Sequence, residues 1–88
     1  MNMKKNKNQK LPEWFDGVLY EKGDTVANQF SGEEIYLTAK ELSMYDLIKG
    51  AEMMAHMRGW NDEMINIIQK GIAWIRKNNP KAYMVLLD

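Results

Sequence analysis

The sequence predicts an α+β fold, mostly helical, in which a short β-hairpin packs on two main antiparallel helices plus a short C-terminal helix. Three observations carry that prediction. Two β-rich runs, TVANQF and EEIYL, flank Ser31-Gly32. Thr38-Ala39-Lys40-Glu41 has the spacing of a helix-starting capping box. Two apolar stripes of helical period then follow, one on each side of Gly59.

The first ten residues, MNMKKNKNQK, have no apolar period and carry Lys4, Lys5, Lys7 and Lys10. That composition predicts a disordered basic tail over 1–10 and a single small globular domain over 11–88. The run LPEWFDGVLYEKGD is broken by Pro12, Gly17 and Gly23. It reads as an irregular segment that lays Trp14, Phe15, Val18, Leu19 and Tyr20 on the core.

If Ser31-Gly32 forms a two-residue hairpin turn, glycine supplies the positive φ that such turns require. Phe30 then sits opposite Glu33 and Val26 opposite Leu37, and Val26, Phe30, Ile35 and Leu37 share one face. An isolated hairpin is marginal in water, so a helix must lie beneath it.

The capping box starts a helix predicted over 39–57. Its threonine hydroxyl accepts from the Glu41 amide while the Glu41 side chain reaches back to the Thr38 amide. Leu37 and Leu42 add the spacing of a hydrophobic staple. At 100° per residue Met44, Leu47, Ile48, Ala51, Met54 and Ala55 form one stripe, which is core. Leu42, Tyr45, Met53 and Met57 fall on the opposite side among Asp46, Lys49, Glu52 and His56. A helix with apolar residues on two sides needs cover on both, and a chain of 88 residues has little to spare. Those four residues are the candidate interface.

Gly59 is placed to close this helix with a left-handed residue. Asn61 caps the next one, with Trp60 and Ile65 at staple spacing. Along NDEMINIIQKGIAWIRK the residues Met64, Ile67, Ile68, Gly71, Ile72 and Ile75 form one apolar face. A glycine inside a helix costs about 1 kcal/mol relative to alanine. Gly71 is therefore expected to let the two helices approach closely, opposite Ala51 or Ala55. Asn79-Pro80 suits a cap followed by a first helical position, so the final helix offers Tyr83, Met84, Leu86 and Leu87 for docking.

Composition narrows the chemistry. There are no cysteines, so disulfides, thiolate metal sites and cysteine nucleophiles are excluded. No apolar run reaches the length of a membrane span, and no apolar signal core follows the basic N-terminus, which predicts a soluble, non-secreted protein. The net charge is zero but sorted: +4 over 1–10, −7 over 11–63 and +3 over 64–88. His56 and Glu52, one helical turn apart, supply at most two ligands where a metal needs three or four. The turn SGE lacks the repeated glycines and lysine of a phosphate loop. No catalytic, cofactor-binding or metal-binding residue is assigned on these grounds. A helix-turn-helix reading fails because Asp62 and Glu63 occupy the end that would meet DNA phosphates. What remains for nucleic acid is contact without sequence preference through Lys4, Lys5, Lys7, Lys10, Arg76 and Lys77.

The stretch NQFSGEEIYLTAKELSMYDLIKGAEMM, together with KGIAWIRKNNPKAYMVLLD at the end of the chain, resembles a group of small proteins of tailed bacteriophages, including those of marine cyanobacteria. The likeness covers roughly residues 24–58 and 70–88. It implies a phage origin and action in the host cytoplasm, and it carries over no activity and no catalytic residue. With the second apolar stripe, it gives the expected function: a non-enzymatic accessory protein that binds protein and self-associates. Nucleic-acid association is the alternative.

Overall fold

A computed structural model describes residues 9–88. Strand β1 (Asp24–Ala27) pairs antiparallel with β2 (Glu34–Leu37), and helices α1 (Ala39–Arg58) and α2 (Asp62–Asn78) follow. A short C-terminal helix, α3, begins as an α-turn at Pro80–Ala82 and widens into a π-helical turn over Tyr83–Leu87. The predicted hairpin, two packed helices and terminal helix are therefore all present, with the helices antiparallel and joined by Gly59–Asn61.

The hairpin differs from the prediction in register. Val26 faces Ile35, and Asp24 faces Leu37, so the turn is longer than Ser31-Gly32 alone. Asn28 organises it. Its side-chain oxygen accepts from the Phe30 and Ser31 amides at 2.7 and 3.0 Å, and its carbonyl accepts from the Gly32 amide at 2.9 Å. Gly32 does take the positive φ, +78°. The longer loop carries Phe30 off the inner face to 97% exposure, which corrects its predicted place beside Val26, Ile35 and Leu37. The Asn28 side-chain Nδ2 also donates to the Val85 carbonyl at 2.7 Å, fixing the hairpin to α3.

Helix α1 starts as the sequence requires. The Glu41 amide donates to the Thr38 hydroxyl and the Thr38 amide to the Glu41 carboxylate, a complete capping box. Met44, Ile48, Ala51 and Ala55 are buried, whereas Leu47 is half-buried and Met54 exposed at the edge of the stripe. On α2 the buried line is Ile68, Gly71 and Ile75. A Cβ on Gly71 would stand 2.6 Å from Ile48 Cγ1 and 3.5 Å from Met44 Sδ. The close approach is real, but its partner is Ile48, not Ala51 or Ala55.

Three smaller expectations also change. Gly59 has φ +99° and ψ 153°, a glycine conformation outside the left-handed helical region. Trp60 and Ile65 are exposed, and Trp60 stands edge-on to His56 with centroids 5.2 Å apart, so no staple closes there. In α3, Ala82, Val85 and Leu86 are buried while Met84 faces solvent. Asn79 caps that turn, accepting from the Ala82 amide at 3.1 Å, and the wider turn that follows sets which residues face the core.

Of the tail expected over 1–10, residues 1–8, with Lys4, Lys5 and Lys7, lie outside the described residues. Gln9 and Lys10 belong to the fold. Gln9 is buried, and the Lys10 carbonyl accepts from the Trp74 indole at 3.0 Å. In the segment that follows, Trp14 and Phe15 pack against the core, but Val18 and Leu19 are exposed, as the turn closed by the Phe15 amide on the Pro12 carbonyl directs only the first aromatics inward.

Candidate functional site

The interface predicted from sequence lies on α1, and the structure divides it. Leu42 and Tyr45 are half-buried and packed against the core. Met53 and Met57, further along the same side, are 64% and 76% exposed. The hairpin and the 11–23 segment reach the first half of the helix, where the Tyr20 amide donates to the Ser43 hydroxyl at 3.0 Å. They leave the second half open.

That open half is the wall of a groove of about 400 Å³. Leu47, Met53 and Met54 of α1, Met64 and Ile67 of α2, and Val18 of the irregular segment make it apolar, and Asp46 is its one charged lining residue. Met54, whose period places it in the core stripe, is exposed at this groove, while Met64 lines it and also packs against the core. Beside Asp46, the Tyr20 phenol is held above its ordinary pKa, first by the carboxylate charge, then by burial and by its hydrogen bond to Asp46.

A second hollow, of about 570 Å³, runs along the flank between α1 and the hairpin past Val26, Tyr45, Lys49, Glu52 and Met57. Glu52 pairs here with Lys49 at 3.4 Å, and the Lys49 ammonium also lies 5.6 Å from the Tyr45 ring centre. His56 turns instead to Trp60. Among the described residues no three histidine, aspartate or glutamate side chains converge on a point where a metal ion could sit, and no helix is long and apolar enough to cross a membrane.

The most densely connected polar group lies away from the groove, at the start of α1. The Glu41 carboxylate is buried and accepts from the Thr38 amide at 2.9 Å, the Asn79 side chain at 3.0 Å, and the Gln9 side chain. Gln9 is held in turn by the Thr38 hydroxyl at 2.8 Å and by the Lys40 ammonium on its carbonyl at 2.6 Å. Every partner of Glu41 is a donor, so it acts as a structural clamp on three segments. Gln9 gave no sequence signal because a lone glutamine in a lysine-asparagine run has the composition of solvated chain.

Of the residues considered for nucleic acid within the described region, Lys10, Arg76 and Lys77 are exposed, and the Arg76 guanidinium lies 5.4 Å from the Tyr83 ring centre. Lys77 joins Lys70, Trp14 and Trp74 around a shallow groove of about 320 Å³ that has no acidic lining residue. Of the helix-packing residues, Ala51 and Ala55 are buried on α1, and Ala51 also borders the methionine groove facing Met64 and Ile67. Comparison with protein-family models, with curated proteins and with solved structures finds no match for the chain.

Proposed function

We propose that this chain is a non-enzymatic accessory protein of a tailed bacteriophage that works in the host cytoplasm by binding protein, itself included. The observation that carries the reading is the open apolar face of α1, where Met53 and Met54 stand in solvent at a groove walled by Leu47, Met64 and Ile67 and Met57 is exposed in the neighbouring hollow. A contiguous exposed apolar patch on a small protein marks a contact surface. Methionine suits one, being flexible and polarizable enough to follow a partner's contour. The resemblance of the hairpin and helix sequences to small phage proteins supports the setting. Light scattering over a concentration series tests the reading. The wild type is expected to exceed monomer mass, and the Met53→Lys, Met57→Lys double variant to stay monomeric with an unchanged circular dichroism spectrum. A wild type of monomer mass at every concentration counts against self-association.

One feature favours nucleic acid as a second reading. Two tryptophans and two lysines border the groove at Trp14, Trp74, Lys70 and Lys77, and aromatic platforms beside cations are how single strands are held without sequence preference. Quenching of tryptophan fluorescence by a single-stranded oligonucleotide, lost with added salt and in the exposed-site variant Lys70→Glu, Lys77→Glu, is the outcome this reading requires.

A further inference from the structure

The solvent side of α2 carries a tryptophan between two lysines. Lys70, Trp74 and Lys77 are spaced i, i+4 and i+7 and so share one face, with the lysine backbones about 10 Å apart along the axis. Ala73, on the same face, leaves a hollow between them, and Pro12 and Trp14 of the N-terminal segment form its other wall. Glu13, next to Trp14, and Glu63, two turns before Lys70, are exposed and do not line it. Among the described residues the one ion pair is Lys49 with Glu52, so neither groove lysine has a carboxylate partner. The Lys70 ammonium lies instead 5.7 Å from the Trp14 ring centre. Both indoles are half-buried and held in place by the fold. Trp74 donates its ring N–H to the Lys10 carbonyl at 3.0 Å, and both rings pack against the core.

We propose that this groove holds one nucleotide unit of a single strand, with its base against the indoles and the phosphates on either side of it on Lys70 and Lys77. This rests on the nucleic-acid reading above and adds a footprint to it: one stacked base and two phosphates. Three features select that occupant. Cations with no acid between them attract an anion. Indole faces already fixed by the fold take a planar ring at little cost in ordering. The order cation, ring, cation along α2 repeats the order phosphate, base, phosphate along a strand, whereas an acidic peptide presents carboxylates with no ring required between them.

Fluorescence titration of the full chain tests this, in a Trp60→Phe background so that only the two groove tryptophans report. Trp60 is exposed and does not line the groove. A short oligothymidylate is expected to quench the emission, with affinity falling as salt is added. Lys77→Gln should reduce the slope of log affinity against log salt by about 0.7, and Lys70→Gln with Lys77→Gln by about 1.4, the values for one and two phosphates of a single strand. Both variants change exposed side chains, and their circular dichroism should match the wild type. An abasic strand of the same length keeps the phosphates but has no base to stack, and should bind roughly tenfold or more weakly. Strand binding whose salt slope neither lysine alters overturns this site while nucleic-acid association stands. An abasic strand or polyglutamate that binds as tightly as oligothymidylate overturns the stacked base and leaves a groove for anions of any kind. A chain that binds no strand overturns both readings.

Discussion

At the N-terminal end of α1 the buried Glu41 carboxylate accepts from three donors that belong to three different segments. In the second half of the same helix Met53, Met54 and Met57 stand in solvent. The contrast follows from the unequal cost of leaving each kind of group unmatched. A buried polar atom without a partner costs its full desolvation at once, and among the described residues no buried side-chain nitrogen or oxygen is left in that state. Exposed apolar surface costs less per residue and can wait until a partner covers it. The start of the helix is thus committed to the fold, and its later outer face is left exposed.

The largest way to break that contrast is at Glu41. Glu41→Ala strands the Gln9 and Asn79 amides and undoes the capping box, and a loss of about 3 kcal/mol is expected. For a domain whose whole stability is roughly 4 to 13 kcal/mol, that lowers the melting temperature by more than about 10 °C. The outer face predicts the reverse: Met57→Lys should change the melting temperature of the monomer hardly at all.

The two mid-helix glycines sharpen the comparison through one substitution of opposite sign. Gly71→Ala drives a Cβ to 2.6 Å from Ile48 Cγ1, a fully buried branch that cannot swing away. The overpacking, about 1–3 kcal/mol, outweighs the gain of about 1 kcal/mol in helix propensity. A net loss of about 1 kcal/mol, or roughly 4–8 °C, is expected from thermal unfolding. Gly50→Ala meets nothing and should gain somewhat under 1 kcal/mol in the monomer. Equal shifts in the same direction for both would deny that one glycine is a packing device and the other is not.

Much of the fold was legible because its signals are local. The Thr38–Glu41 box, the Asn61 cap and the Asn79-Pro80 junction each lie within four residues, and each forms as written. The Gly71 approach was legible too, since a glycine in the middle of a buried stripe needs a reason. Its partner was not, because helix phase fixes which face is buried but not how far one helix slides along another. The hairpin register failed for a related reason. Ser31-Gly32 looks sufficient as a turn, and only the structure shows the Asn28 side chain taking two amides and widening it. Of the candidate interface, Met53 and Met57 lie on an exposed side of α1 that their period marks out. Leu42 and Tyr45 shared that period but fell under chain from distant parts of the sequence, which no window along α1 can register. Gln9 was missed on the same ground, its partners lying 29 to 32 positions away.

The smallest expected effect lies where the two regions meet, at Tyr20. Its backbone amide is tied to Ser43 in the ordered half of α1, while its phenol sits beside Asp46 at the rim of the groove. The Asp46 charge, burial and the hydrogen bond to Asp46 all raise the phenol above the ordinary 10.0. The folded state therefore favours the neutral phenol. Its contribution to stability is fully present below pH 10 and is lost as the pH rises through the higher folded value. Because the side chain is exposed, the expected consequence is a modest fall in melting temperature confined to pH above 10. Asp46→Asn removes the leading cause, so phenolate absorbance of that variant should titrate closer to 10.0 and its alkaline fall in stability should shrink. Titration curves that superimpose would place Asp46 too far from the phenol to act on it. They would also leave the Asp46 carboxylate without the Tyr20 hydroxyl as a hydrogen-bond donor at the rim of the apolar groove.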